Sequence, residues 1–256
     1  METQKKRSIL ITGATGKFGK EYVRYFLEKG DEVIALSRNK EKLDLMKSDF
    51  KKFDDKFKTI IFDLIKDNIE INLMKILNDL NIFPNCVVNN ARSIQNLKQS
   101  NDGFVNELAF INEYKLGVIV PYQIIMRLLN QNGNKLKKVV NIASIYGLVA
   151  PNIKLYSSSE QICPVHYGVT KAALIQLTKE LSVRLAKKDI QINCIAYGGV
   201  KGRVNKEFEE RYGNLCPSGN MLTEEDLSGP LDFLLSENSN AINGHVLVAD
   251  GGWTVW

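Results

Sequence analysis

The stretch that decides the fold is Ser8-Ile9-Leu10-Ile11-Thr12-Gly13-Ala14-Thr15-Gly16-Lys17-Phe18-Gly19. Ser8 to Thr12 is a short apolar run, the mark of a buried strand. Gly13, Gly16 and Gly19 follow at the spacing G-x-x-G-x-x-G. From Lys20 to Lys29, Tyr22, Val23, Phe26 and Leu27 recur on one face of a helix. Strand, glycine turn and helix in this order open a dinucleotide-binding unit. Glycine permits the tight turn and close backbone approach, and the helix N-terminus attracts a pyrophosphate. Loose glycine patterns are common, so the weight comes from the position directly after the first strand.

Working outward, Glu32 to Leu36 reads as a second strand ending in Ser37-Arg38. An acidic residue there would bond the ribose hydroxyls of NAD. Ser37 and Arg38 suit a 2′-phosphate instead, with Lys17 as a second nearby cation. The alternative for Arg38 is a solvated residue at the start of the helix over Asn39 to Lys52. Further strands are expected at Lys58 to Phe62, Cys86 to Val88, Val139 to Ala143, Ile190 to Ala196 and His245 to Ala249. Helical patterns lie at Asn68 to Leu80, Phe104 to Asn130, Tyr167 to Lys187, and from Thr223 to about Ser236, with a shorter piece near Asn205–Tyr212. Strand and helix alternate with no linker and no repeat. That predicts an α/β fold over 1–256: one doubly wound domain on a seven-stranded parallel sheet flanked by helices. Ligands then belong beyond the carboxyl ends of the strands.

The bulk numbers agree with this and exclude other classes. The chain has 256 residues, 44% hydrophobic and 25% charged, as a globular protein does. A net charge of +5 without a dense basic block disfavours nucleic acid. No run is long enough for a membrane span, and the polar start Met1 to Ser8 has no apolar leader region. The four cysteines form no C-x-x-C and only two histidines are present, so no metal site is expected. Free thiols in a reducing cytoplasm are the simplest reading, with Cys86 and Cys194 buried.

Tyr167-Gly168-Val169-Thr170-Lys171 places Tyr167 and Lys171 one helical turn apart. An ammonium there is expected to lower the tyrosine's proton affinity and fit it for proton transfer. Residues 148–166, with Pro151, Ser157-Ser158-Ser159 and Pro164, form a long irregular segment of the kind that carries function.

Taken together, Thr12-Gly13, Gly16, Gly19, Asp63, Asn89-Asn90-Ala91, Ser144, Tyr167, Lys171, Gly198-Gly199 and the tail Asn243 to Gly252 resemble the short-chain dehydrogenase/reductase family, with its Rossmann fold, along nearly the whole chain. The segments Ser144–Pro151, Gly198–Arg203 and Asp250–Trp256 are similar to a bacterial subgroup. Its members are called flagellin-modification or surface-polysaccharide oxidoreductases and accompany nonulosonic sugar synthesis. The resemblance implies Ser144, Tyr167 and Lys171 as catalytic residues. It implies cofactor contacts from Thr12, Gly13, Thr15, Lys17, Phe18, Gly19, Ser37, Arg38, Asp63, Leu64, Asn90, Ala91, Gly198 and Val200, besides Tyr167 and Lys171. Lys171 would bind the nicotinamide ribose and lower the Tyr167 pKa, Ser144 would hold the substrate oxygen, and Asp63 would meet the adenine. A homo-oligomer, tetramer or dimer, is also implied.

The chain departs from the family pattern at several places. Lys17 replaces the middle glycine, a spacing that follows the family's extended members. Arg92 replaces the glycine after Asn89-Asn90-Ala91 and is either a solvated loop residue or a contact to an anionic substrate. Residues 151–166 are an insertion. The helix asparagine expected three residues before Gly117 is Tyr114, with Asn112 off register. Tyr197 replaces a proline, either stacking at the cofactor or packing.

The favoured reading is an NADP(H)-dependent oxidoreductase, with NAD(H) as the second cofactor, acting on a secondary alcohol or ketone of an anionic or nucleotide-linked sugar. Arg92, Lys201, Arg203 and Arg211 would form a positive mouth, and Tyr146 and Tyr197 stand beside it. Alternatives are a 3-oxoacyl-thioester reductase and, in another class, a catalytically silent NADP-binding regulator. The aromatic tail through Trp253, Val255 and Trp256 either packs at an oligomer interface or folds back on its own core.

Overall fold

The computed structural model describes residues 6–256; the polar start read at Met1 to Ser8 lies, through residue 5, outside the described residues. The strands are β1 (Ser8–Thr12), β2 (Glu32–Ser37), β3 (Phe57–Ile61), β4 (Cys86–Asn89), β5 (Lys138–Ile142), β6 (Gln191–Tyr197) and β7 (Val246–Ala249). All pair in parallel, in the order β3-β2-β1-β4-β5-β6-β7. The chain therefore winds outward through β2 and β3, then returns to place β4 on the other side of β1. The carboxyl ends of β1 and β4 flank the crevice at this switch, where ligands of such sheets bind.

Eight α-helices cover the two faces: α1 (Lys17–Glu28), α2 (Lys40–Asp49), α3 (Met74–Asp79), α4 (Glu107–Tyr114), α5 (Val120–Leu129), α6 (Val165–Arg184), α7 (Lys206–Leu215) and α8 (Ser228–Leu235). Alternate strand residues serve opposite layers, as the period of a strand requires. Leu10, Ile34, Val87, Val139 and Ile192 pack with α3, α5 and the end of α6. Ile9, Ile11, Val33, Val88 and Ile195 pack with α1, α2 and α8. Burial on both faces explains why the strands read as continuous apolar runs. Among the described residues, no helix is long and apolar enough to cross a membrane.

Element ends follow local chemistry. Asn39, Asn106 and Asn205 each cap a helix by accepting a backbone N–H. The helix expected from Phe104 begins only at Glu107, after the Asn106 cap. A π turn at Lys115–Ile119 joins α4 to α5. Asp226 accepts the Thr223 N–H at 2.7 Å. A 3₁₀ turn at Glu225–Leu227 then leads into α8.

A buried polar chain ties α6 to the sheet. Asn89 donates to Asn141 at 2.8 Å, Asn141 donates to Thr178 at 2.9 Å, and Thr178 donates to the Leu174 carbonyl at 2.8 Å. Asn89 and Asn141 are register partners in β4 and β5. A helix held this way has little freedom to rotate, which fixes the face that carries Tyr167 and Lys171.

Candidate active site

The cofactor side of the crevice is built from backbone. Gly13 sits at φ +65°, and a Cβ there would lie 2.7 Å from the Ala91 Cα. At Gly19 an added Cβ would fall 2.4 Å from the Gly13 carbonyl oxygen. Glycine is required at both places so that the turn, α1 and the β4 loop can meet. Thr12 Oγ1 accepts the N–H groups of Asn90 and Ala91, each at 3.0 Å. Asn90 Nδ2 donates back to the carbonyls of Thr12 at 3.0 Å and Gly13 at 3.2 Å. This cradle fits a pyrophosphate against the start of α1.

Ser37 and Thr15 share a hydroxyl contact of 2.7 Å that sets the end of β2 against the glycine turn. Arg38 follows, exposed to solvent. Asp63 caps its own turn, accepting the Ile65 N–H at 3.0 Å, while Leu64 is buried in the core. Val200 forms a parallel bridge with Leu222. Gly198 closes on Asp250, whose Cα an added Cβ would meet at 2.9 Å.

Ser144, Tyr167 and Lys171 converge at the carboxyl end of β5. Close packing fixes them: a Cβ on Gly147 would lie 2.8 Å from the Lys171 carbonyl carbon, and one on Gly168 would lie 3.0 Å from the Tyr146 carbonyl oxygen. The turn after Ser144 is thus pressed onto α6. Ser144 Oγ accepts the Tyr146 N–H at 3.2 Å. Lys171 Nζ donates to the Ile142 carbonyl at 2.7 Å and lies 5.7 Å from the Tyr167 ring centroid. The Arg92 guanidinium lies 4.9 Å from that centroid.

The electrostatics differ from the expectation drawn from Tyr167–Lys171 spacing. Burial pushes the Tyr167 phenol up, opposed first by the Arg92 guanidinium and then by a hydrogen bond from Ser144. Arg92 is the first group that draws the phenol back. Burial also brings Lys171 down to about 8, against the attraction of Glu113 and with the repulsion of Arg92. Burial and then Arg92 lower the Arg203 proton affinity, with Tyr167 opposing. Arg92, Arg203 and Tyr167 therefore form one electrostatic group. The arginine ion pairs among the described residues are made by Arg7, Arg24, Arg127, Arg184 and Arg211, leaving Arg38, Arg92 and Arg203 without one.

Other predicted site residues are placed elsewhere. Tyr197 is a core residue: its hydroxyl donates to the Leu227 carbonyl and its ring meets Phe18 edge-on at 5.7 Å. Phe18 is thereby a packing partner too. Lys17 donates to the Lys201 carbonyl and pairs with Glu224 at 3.3 Å, so its ammonium is not a free companion to Arg38. Arg211 holds the insertion, donating to the Leu155 carbonyl at 2.9 Å and Ser157 at 3.0 Å, and is not part of a positive mouth. Tyr146 bonds Tyr156 at 2.6 Å, fastening the insertion from its other side. Trp253 folds back and stacks on Tyr212 at 4.2 Å, whereas Val255 and Trp256 are exposed. Neither Tyr114 nor Asn112 is the buried residue of its turn; that residue is Glu113, which sequence reading passed over. The π turn hides it. Gly117 packs against Thr170 of α6, where a Cβ would fall 2.4 Å from Cγ2, and the residue sharing its face lies four positions back, not three.

The arrangement can hold a small carbonyl or alcohol oxygen between two hydroxyls, with cations beside it, next to a dinucleotide cradle. Known proteins share it. The family model for short chain dehydrogenases matches residues 7–213. The post-translational flagellin modification protein A of Campylobacter coli is 28% identical, over 96% of this chain and 97% of that protein. A 3-oxoacyl-acyl-carrier-protein reductase of Rickettsia bellii is 27% identical, over 96% of each chain. The crystal structure of a short chain dehydrogenase from Leptospira borgpetersenii with bound NAD+ superposes with a TM-score of 0.84 at 27% identity, over 97% of this chain and 93% of that one. Matched by the family model across most of its length, the chain belongs to the short-chain dehydrogenase/reductase family and is an NAD(P)-dependent oxidoreductase.

Proposed function

We propose that the enzyme uses NADP(H) and exchanges a hydride with a secondary alcohol or ketone of an anionic sugar in flagellar or surface-glycan synthesis. The observation that carries this reading is the pair Arg92 and Arg203. Both act on Tyr167 and on each other, and neither has a carboxylate within ion-pair distance among the described residues. Two mutually repelling guanidinium groups beside a proton-transfer residue suit a phosphate or carboxylate on the substrate. The likeness to a flagellin modification protein supports the sugar. Arg38, exposed at the end of β2 beside the Ser37–Thr15 contact, supports the 2′-phosphate of NADP.

The bound nicotinamide supplies the hydride. The chain supplies alignment and the proton. In the reducing direction the Ser144 hydroxyl donates to the substrate oxygen, and the Tyr167 phenol passes its proton to the same oxygen as charge develops there. Lys171, with one N–H on the Ile142 carbonyl, keeps two donors for the cofactor ribose. Arg92 offsets the phenolate that forms. The enzyme acts as a homo-oligomer, for which the exposed apolar side chains Leu108, Ile111, Ile119 and Tyr122 around α4 and α5 and the tail residues Val255 and Trp256 offer surface.

Nicotinamide absorbance with NADP and NAD across phosphosugars, nucleotide-linked sugars and oxoacyl thioesters tests this. An anionic sugar is expected to turn over with NADP. Tyr167→Phe should lower kcat about 10³-fold with cofactor binding intact. Arg92→Gln should raise KM about tenfold, the worth of one charged hydrogen bond. Turnover of thioesters alone would move the enzyme to the reductase represented by the Rickettsia bellii relative. Turnover indifferent to Tyr167→Phe would remove the tyrosine from the chemistry.

A further inference from the structure

Behind Tyr167 lies a carboxylate that the proposed chemistry does not use. Glu113, near the end of α4, is 3% exposed. Its Oε2 has no hydrogen-bond partner, and the Asn96 amide faces the carboxylate without closing a hydrogen bond in strict geometry. On the same helical face, one turn earlier, Phe110 packs on His166 at 5.7 Å between ring centroids. His166 opens the α6 turn that carries Tyr167, and its Nε2 is 2.6 Å from the Asn96 carbonyl oxygen. The α4 face bearing Phe110 and Glu113 is thus seated on the start of α6. An acidic side chain in such a place is costly unless it answers a charge.

It faces charges from three elements. From α6 come Lys171, His166 and Tyr167. From the loop after β4 comes Arg92, and from the segment before α6 comes the Cys163 thiol. Two of these are permanent or near-permanent cations, and neither Lys171 nor Arg92 has a carboxylate within ion-pair distance among the described residues. Glu113 is the acidic residue acting on both.

We propose that Glu113 is the buried counter-charge of this site, a positioning residue that keeps Lys171 an ammonium while Arg92 stands beside it. The inference concerns the lysine's charge directly; its meaning for turnover rests on the reading of Tyr167 and Lys171 as the working pair. The directions agree. Glu113 raises Lys171 against the burial that brings it to about 8, and it raises Tyr167 as well. Burial raises Glu113 itself, with Lys171 as the first group that opposes this. Without the carboxylate, Lys171 loses its proton at lower pH and is neutral over part of the working range. A neutral amine cannot hold a ribose oxygen through the same charged hydrogen bond or favour a phenolate nearby.

The test is a direct titration of Lys171 in protein labelled with [ε-13C]lysine, followed by NMR and identified as the signal absent in Lys171→Met. A lysine titrating near 8 stands clear of ordinary lysines at about 10.4. Glu113→Gln keeps the shape and removes the charge, and its Lys171 midpoint is expected to fall by about 0.5 or more. Glu113→Asp, with the charge drawn back by one methylene, should fall less. Should the amide variant not fold, the aspartate variant carries the test by the same sign. An unchanged or raised midpoint in the folded variant overturns the proposal. None of this needs turnover, so a failed substrate assignment leaves the result intact. Where turnover is measured, both limbs of the kcat–pH profile should move to lower pH in Glu113→Gln. A uniform drop in kcat with both limbs fixed would mark Glu113 as merely structural.

Discussion

The two walls of the crevice handle polar atoms in opposite ways. On the cofactor wall the loop groups serve each other: Thr12 Oγ1 serves two N–H groups, and Asn90 serves two carbonyls in return, with unpartnered atoms among the described residues only behind them, at the Tyr22 hydroxyl and Asn89 Oδ1. On the α4–α6 wall, buried groups are left incomplete. Glu113 Oε2, His166 Nδ1 and Thr170 Oγ1 have no hydrogen-bond partners, burial raises Tyr167, and burial depresses Lys171. The first wall is a cradle whose stability and function coincide, since the same backbone that is tied down receives the cofactor. The second stores unmet electrostatic demand beside the reacting atoms, which stability alone would not select.

The sharpest way to break the contrast is Thr12→Val. The shapes match, but the half-buried Asn90 and Ala91 N–H groups lose their acceptor. Two stranded donors should cost about 3 kcal/mol. Denaturant unfolding reads this, and a loss below 1 kcal/mol would mean that the cradle is not held as described. Gly19→Ala comes next. Its Cβ would lie 2.4 Å from the Gly13 carbonyl oxygen, so backbone must move. About 2 kcal/mol is expected, together with weakened cofactor binding by fluorescence titration. Unchanged cofactor affinity would separate the glycine turn from the cradle.

The same contrast explains what the sequence made legible. Gly13, Gly19 and the apolar run before them act through neighbours in the chain or through sheet periodicity, so spacing reveals them. Strand alternation and the count of seven strands follow from patterns within about thirty residues. Lys17, Tyr197 and Arg211 have remote partners that spacing does not reveal: Lys201 and Glu224, Leu227, and Leu155 with Ser157. Glu113 was missed for another reason. The π turn at Lys115–Ile119 changes the helical count, so a place three residues before Gly117 names exposed Tyr114 instead of its buried neighbour. Tyr167, Lys171 and Ser144 stand out by pattern, but Arg92, the first group that draws the phenol back, comes from a different loop.

The smallest expected effect bears on the strained wall itself. Lys171→Met replaces a buried ammonium with an apolar chain of similar length. The variant abandons one hydrogen bond to the Ile142 carbonyl. It also leaves Glu113 without the first charge that opposes its burial, which shifts that carboxyl further toward its protonated form. The balance should raise stability at pH 7 by about 1 kcal/mol, or about 2–4 °C in Tm. The pH dependence gives the sign independently. Lys171 holds its proton only up to about 8 in the fold. The unfolded chain holds it to about 10.4. Between those values the unfolded state binds more protons, so the wild-type protein gains stability from this group as pH rises. Below about 8 the full burial cost of the ammonium stands. The advantage of Lys171→Met should therefore be largest at pH 7 and shrink steadily from pH 8 toward 10, read as the difference in Tm between the two proteins. A variant that is less stable at pH 7 would mean that the Ile142 bond and the Glu113 attraction outweigh burial. In that case the α4–α6 wall would be as well satisfied as the cradle opposite.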